Sequence, residues 1–353
     1  MEDGENDKGF NKINLVKSWL SLISSPNFAK THPLLSASNK NYSHHGLMFR
    51  VNDPNRYLKD CCVNALLYDS VTEALDVDYP CTTPNDYTWI VSSVNGLICL
   101  VKEVYDDELH ELFLWNPSIR KYKKLPKYRL KVSRAYSMDE IEYFKFCFVY
   151  DELQDDYKVV GVFPIHENMR RVEVKIYSLK SDSWRCIDDY QGTDFSYYNN
   201  NKGKLVNGKI HWLGSWCKLI ISIDLANEKW TEIEKPGCGT SELGVFGSCL
   251  SVLNCEYAST RADLWVMKEY GVKESWTKMF TTKSPGDSML YMFHPPIITS
   301  NEGEILLRHG SRFTKYNPKD DSIRYLDVTN FDQCYEAEIY VKSLICPLSQ
   351  KGP

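Results

Sequence analysis

Twelve cysteines, eight histidines and forty-seven acidic side chains would be enough for metal or hydrolytic chemistry. Their spacing argues against both. A tetrahedral metal site draws on Cys-x-x-Cys or on histidines at ligand spacing. No Cys-x-x-Cys occurs, Cys61 and Cys62 are vicinal, and the histidines are scattered apart from the adjacent His44 and His45. Most cysteines lie in apolar, strand-like contexts, such as Cys99 in GLICL and Cys147 in FKFCFVY. They read as buried, reduced thiols, which points to the cytoplasm or nucleus. No Gly-x-Ser-x-Gly, phosphate loop or Gly-x-Gly-x-x-Gly is present. Ser181-Asp182-Ser183-Trp184 lacks the glycine and spacing of a sialidase-type box, Ser-x-Asp-x-Gly-x-x-Trp. No metal, no cofactor and no activity of its own are expected.

Charge offers one local anomaly. Arg120, Lys121, Lys123, Lys124, Lys127, Arg129, Lys131 and Arg134 form a basic run. It reads as a solvated strand face entering a loop, with Asp106-Asp107-Glu108 nearby to offset it. Net charge is −5 and the pI near 6.0, which gives no reason to expect nucleic acid. No run of 18 apolar residues exists, so no membrane span is expected. The opening MEDGENDKGF is acidic, the opposite of a secretory signal.

A repeat organises the chain. LIISIDLANEKWTEI at 219–233 has an apolar run to Asp224, a polar turn, and a short strand opened by Trp230. The same shape recurs in LLYDSVTEAL, LWNPSIRKYKKL, KIYSLKSDSWRCI and KYNPKDDSIRYL, and more loosely in VMKEYGVKESWTKM. The second-strand positions 75, 122, 184, 230, 276 and 323 are spaced by 47, 62, 46, 46 and 47 residues. A fixed period of this size in β-rich sequence predicts propeller blades, and six copies predict six. Asn95-Gly96 and Asn207-Gly208 predict tight hairpins. Blade 1 shows strands near 46–51, 61–68 and 73–78 and lacks a fourth. The unpaired strand 337–345 is expected to supply it as the innermost one, closing the ring. Trp184, Trp230 and Trp276, equivalent in the repeat, are expected to pack between blades.

Ahead of the ring, residues 1–12 read as a disordered tail, 13–32 as a helix with one further helical turn, and 33–45 as a linker. Within a four-stranded blade, first–second and third–fourth turns share one face. The second–third turns and blade connections share the other. The long irregular pieces 102–110, 127–143, 164–171, 189–202, 235–242 and 281–293 all fall on that second face, where recognition is expected.

Together, KSWLSLISSPNFAKTH at 17–32, NGLICL at 95–100, LWNPSIRKYKKLP at 114–126, YKVVGVF at 157–163, VEVKIYSLKSDSWR at 172–185, NGKIHWL at 207–213 and YVKSLICP at 340–347 resemble plant F-box proteins. The resemblance is to those carrying an F-box-associated, kelch-like β-propeller, and it spans about residues 15 to 347. It implies an all-β fold: a six-bladed kelch-like propeller at 46–347 preceded by a short helical F-box remnant at 13–32. Gly-Gly pairs of the kelch consensus are absent. The implied function is substrate recognition in a Skp–cullin–F-box ubiquitin ligase, without catalysis. The implied partners are a Skp-type adaptor with its cullin and an unknown protein substrate. Val16, Trp19, Leu20 and Ile23 would face the adaptor. Tyr105, His110, Arg129, His166, Arg170, Tyr197, Trp216, His309 and Arg312 would lie on the substrate face. Only the tail of the F-box pattern is matched, so adaptor binding is expected to be weak. The competing readings are a stand-alone propeller binding module and a propeller hydrolase.

Overall fold

A computed structural model describes residues 41–51, 58–80, 87–103, 110–130, 144–164, 171–187, 190–192, 202–214, 218–237, 239–255, 261–283 and 293–348. The disordered tail, the helical segment at 13–32 and most of the linker lie outside these residues. Blade 1 contributes β1 (His45–Val51), β2 (Leu58–Cys62), helix α1 (Val63–Tyr68), β3 (Val71–Glu73) and β4 (Leu75–Asp76). Blade 2 is β5 (Thr88–Val94), β6 (Leu97–Lys102), β7 (Glu111–Asn116) and β8 (Lys121–Lys124). Blade 3 is β9 (Lys145–Asp151), β10 (Asp156–Pro164), β11 (Arg171–Ser178) and β12 (Ser183–Cys186), with β13 (Tyr190–Gln191) also on β11. Blade 4 is β14 (Lys204–Val206), β15 (Lys209–Leu213), β16 (Leu219–Asp224) and β17 (Trp230–Glu234). Blade 5 is β18 (Thr240–Phe246), β19 (Cys249–Cys255), β20 (Arg261–Met267) and β21 (Trp276–Lys283). Blade 6 is β22 (Ile298–Thr299), β23 (Ile305–His309), β24 (Arg312–Asn317) and β25 (Ser322–Tyr325), followed by β26 (Asp327–Thr329) and β27 (Cys334–Val341).

The ring has six blades, and β27 is the inner strand of blade 1. It pairs antiparallel with β1 from His45↔Val341 to Val51↔Cys334. The expected closure therefore holds, with the strand running 334–341 rather than 337–345. Residues 342–346 leave it as a tail across blade 2. Asn116 is fully buried there. Its Nδ2 donates to the Ser343 carbonyl at 3.1 Å, to Ser343 Oγ at 3.1 Å and to the Ile345 carbonyl at 2.8 Å. Gly96, at φ +85°, passes so close that a Cβ would sit 2.2 Å from Ser343 Oγ. Asn95-Gly96 thus serves both the hairpin and the tail.

Alternate residues of each strand face the two neighbouring blades, so the strands read as continuous apolar runs. In β6, Leu97, Cys99 and Val101 face blade 3, while Ile98 and Leu100 face blade 1. The core is accordingly six seams rather than one centre. The repeated tryptophans close them. Trp184 packs on Tyr177 and Tyr128 and donates its indole N–H to the Pro126 carbonyl at 2.7 Å, one blade back. Trp276 does the same to the Glu234 carbonyl at 3.2 Å. Trp230 lies against Tyr190 and Trp212 in the seam between blades 3 and 4.

The repeat has a local cause. Asn116, Ser178, Asp224 and Asn317 each end a third strand and accept a backbone N–H from two or three residues ahead, at 2.8–3.2 Å. Four residues on, Arg120, Asp182, Glu228 and Asp321 take positive φ, 51–58°. Six residues on come Tyr122, Trp184, Trp230 and Ile323, all but Tyr122 at a seam. In blade 5 the 3-10 turn Lys273–Ser275 lengthens the hairpin, which explains the looser spacing before Trp276.

Blade 1 departs from expectation. The strand expected at 61–68 ends at Cys62, because Val63, Leu66 and Leu67 are buried at helical spacing and form α1. The helix shifts the register, so Ala74, not Leu75, enters the seam with blade 6. Leu75 pairs with Asp60 and stays exposed. A one-residue slip flips a strand side chain to the opposite face. The parallel pair β3–β26 joins blades 1 and 6 and was not foreseen.

Trp230→Ala should cost about 3–5 kcal/mol, the usual range for emptying a large aromatic site, read as a lower denaturant midpoint. Asn116→Ala should cost about 1–3 kcal/mol by orphaning buried carbonyls of the tail. It should also speed proteolysis beyond Val341.

Candidate functional site

The expected division of faces follows from the strand order. Tight first–second and third–fourth turns occupy one end of the ring, and second–third turns and blade connections occupy the other, the loop face. Inner strands and their neighbours line a central cavity of about 350 Å³. Its walls include Ser93, Lys202, Lys204, Glu242, His294, Arg308, Tyr335, Glu336 and Glu338.

Towards the loop face the charges form a network. Glu336 is buried and accepts the Ile90 backbone N–H at 2.9 Å. Arg50 Nε lies 3.8 Å and Lys202 Nζ 3.9 Å from the same carboxylate. The Arg50 guanidinium sits over the rings of Tyr87, at 4.6 Å, and Tyr335, at 5.2 Å. Glu242 meets His294 Nδ1 at 2.9 Å, and Glu338 accepts the Ser93 backbone N–H at 3.3 Å. Arg308 donates from Nη1 to the Gly310 and Cys334 carbonyls, at 2.8 and 3.0 Å. Burial holds its guanidinium below the usual arginine range. Among the described residues, Glu336, Glu338 and Glu242 are thus engaged by backbone N–H groups and bases.

Of the residues expected on the substrate face, Arg129 and Arg312 are exposed, and Arg312 lies 4.4 Å over the Tyr325 ring. His110 and His309 are corrections, because both are buried. The His110 ring is edge-on to Trp89 at 4.7 Å and near Phe144 and Phe146. Burial pushes its imidazole down to about 4. His309 stacks on Phe293 and hydrogen-bonds Tyr325 Oη at 2.9 Å. An aromatic ring at the lip of a seam buries more readily than it hydrates. Tyr105, His166, Arg170, Tyr197 and Trp216 lie outside the described residues, as do Val16, Trp19, Leu20 and Ile23.

Sequence reasoning missed Arg50, Tyr87, Tyr335 and Glu336. The available signal was Glu336 and Glu338 alternating with apolar residues in an innermost strand, whose free face lines the channel. Of the basic run, Lys131 and Arg134 lie outside the described residues, as do Asp106, Asp107 and Glu108, which were expected to offset it; the described part is offset by other acids. Lys123 pairs with Asp182 at 2.8 Å and Lys124 with Glu111. Among the described residues no cysteine is in a disulfide; Cys61, Cys99, Cys147 and Cys334 are buried and Cys62 and Cys186 exposed. No described helix is long and apolar enough to cross a membrane.

The sequence profile of the F-box associated beta propeller domain matches residues 67–345. The chain belongs to the F-box associated β-propeller family. The F-box/kelch-repeat protein At3g23880 of Arabidopsis thaliana is 31% identical over 344 residues, 94% of this chain and 89% of the relative. The F-box protein CPR1 of the same plant is 28% identical, over 78% and 72% of the two chains. Among solved structures, a protein of unknown function from Bacteroides caccae overlays with a TM-score of 0.48 and 9% identity, over 84% of this chain and 98% of that one. A likeness of that size carries no functional argument.

The buried imidazoles make a pH prediction. His110 and His211, the latter also pushed down to about 4 by burial, stay neutral in the folded protein where the unfolded chain is protonated. Their stability contribution is complete above about pH 6.5 and is lost as pH falls towards 4. The loss is up to about 3 kcal/mol each at 1.36 kcal/mol per unit. Asp60, raised by burial to about 6, works oppositely, losing its contribution as pH rises through that value. His110→Phe should therefore flatten the decline of the denaturant midpoint between pH 6.5 and 4.5 relative to the parent.

Proposed function

We propose that this chain is the substrate-recognition subunit of a Skp–cullin–F-box ubiquitin ligase, acting in the cytoplasm or nucleus. In this role the segment ahead of the ring engages a Skp-type adaptor, and through it a cullin. The loop face of the propeller holds the protein to be ubiquitinated. The chain itself catalyses nothing. The observation that carries this reading is the asymmetry of the ring in an F-box associated family member. One end is a set of tight, hydrogen-bonded turns. The other end holds a charged channel mouth, with Arg312, Tyr325, Tyr87 and Tyr335 accessible, and the stretches that join strands there are long in sequence. Tyrosine and arginine dominate protein-recognition hot spots. The engaged carboxylates of the channel argue against hydrolysis.

A stand-alone binding module is the second reading, favoured by a family match that covers the propeller, residues 67–345.

Calorimetric titration of purified Skp-type adaptor into the full chain separates the two. The receptor reading expects saturable binding that Leu20→Asp abolishes while leaving the propeller melt unchanged. Absence of binding at the highest attainable adaptor concentration would overturn it and leave the stand-alone module.

A further inference from the structure

Blade 1 carries an exposed apolar rim that no other blade shows among the described residues. Tyr68, Val71 and Leu75 are 41%, 49% and 55% exposed. They follow one another at the end of α1, on β3 and on β4. Asp69, Glu73, Asp76 and Asp78 are exposed between and beside them, and Asp76 pairs with Lys59 at 2.6 Å. The rim is therefore apolar and acidic together.

The described chain begins at this rim. Asn64, on α1, donates its Nδ2 to the Asn41 carbonyl at 2.7 Å. Tyr42 is fixed beside it by a hydrogen bond from its hydroxyl to the Thr299 carbonyl at 2.6 Å, and burial, with a smaller contribution from Tyr68, raises the Tyr42 phenol. Whatever precedes residue 41 leaves from the turn face, next to Tyr68.

We infer that the rim of blade 1 is the docking surface for this chain's own segment 13–32. Residues 33–40, extended at about 3.3 Å each, reach roughly 26 Å, ample for the rim. The segment has Ile13, Val16, Leu20 and Ile23 at a spacing that would share one stripe of a helix, and its only ionised side chains at neutral pH are Lys17 and Lys30. An apolar, basic segment meets an apolar, acidic rim. Affinity decides between this occupant and a foreign one. A stripe this small makes a poor intermolecular interface. A tether this short holds the segment at an effective concentration in the millimolar range, which a weak contact suffices to exploit. The docked stripe is the one an adaptor would need, so docking and adaptor capture exclude each other. That consequence rests on the receptor reading; the docking itself does not.

Limited trypsin digestion of the full chain tests it, following cleavage after Lys17 and Lys30. The parent is expected to be cut slowly, at a rate independent of protein concentration. A Val71→Asp/Leu75→Asp double variant should be cut about tenfold faster or more, as a 1.4 kcal/mol loss of docking requires, with the propeller melt unchanged. Both substituted positions are exposed, so folding is not at stake. Lys17→Glu should accelerate cleavage after Lys30, and Glu73→Lys in the same chain should restore protection. Equal cleavage of parent and double variant would overturn the proposal. Protection that grows with protein concentration would also overturn it, assigning the rim to a second copy. Adaptor affinity that rises in the double variant supports the exclusion. Adaptor binding absent from both, with protection intact, removes the receptor reading and leaves the docking standing.

Discussion

The propeller depends on the backbone ladder between β27 and β1. Six wedge-shaped sheets pack side by side, and each seam needs both of its neighbours. An open row would expose the apolar faces of its two end blades and leave an unpaired strand edge. Pairing the last strand of the chain with the first removes both liabilities. The cost falls on chain entropy, because contacts near 290 residues apart in sequence must form before the ring gains anything. Asn116 then reinforces the closure from blade 2, holding the tail that follows β27 by three hydrogen bonds. Ile345 sinks into the seam between blades 2 and 3. Residues 342–346 thus act as a strap over two blades, and the ring behaves as one cooperative unit.

What was legible in the sequence was what is locally caused. The repeat was visible because an Asn, Asp or Ser, a left-handed residue four further on and a seam residue six further on all belong to one hairpin. Such a turn fixes register by its own geometry. Ring closure was legible by bookkeeping, since one blade lacked a strand and one strand lacked a blade. Blade 1 was misread where local signals tie. CCVNALLY is short and apolar enough for a strand, yet its buried residues sit at i, i+3 and i+4. Only the tertiary contact with blade 6 decides. The parallel β3–β26 pair had no sequence signal at all, because it joins segments about 255 residues apart.

Site residues were legible by face and not by environment. Strand parity placed His110 and His309 at the loop end correctly, but a ring beside Trp89 or Phe293 is drawn into the seam. Lone histidines among aromatics are more often core than contact. Arg129 and Arg312 stay exposed because an arginine surrenders its hydration only to a partner of matching geometry. Arg50 shows the converse. It is buried on a second strand because Glu336 and two tyrosine rings together replace its water.

The channel mouth illustrates how such a ring separates stability from recognition. Its carboxylates lie on inner strands, where a side chain has no neighbouring blade to pack against and faces the axis instead. Left alone there, each would suffer desolvation without compensation. Glu336 and Glu338 avoid this by accepting backbone N–H groups of β5, in the adjacent blade. They thereby become bolts between blades 1 and 2. Glu242 similarly engages His294, from the connection leading into blade 6. Charges used in this way serve the scaffold and are withdrawn from chemistry. On the proposed reading, recognition is left to the rim of the loop face, where an exposed side chain such as Arg312 can be exchanged without disturbing a seam.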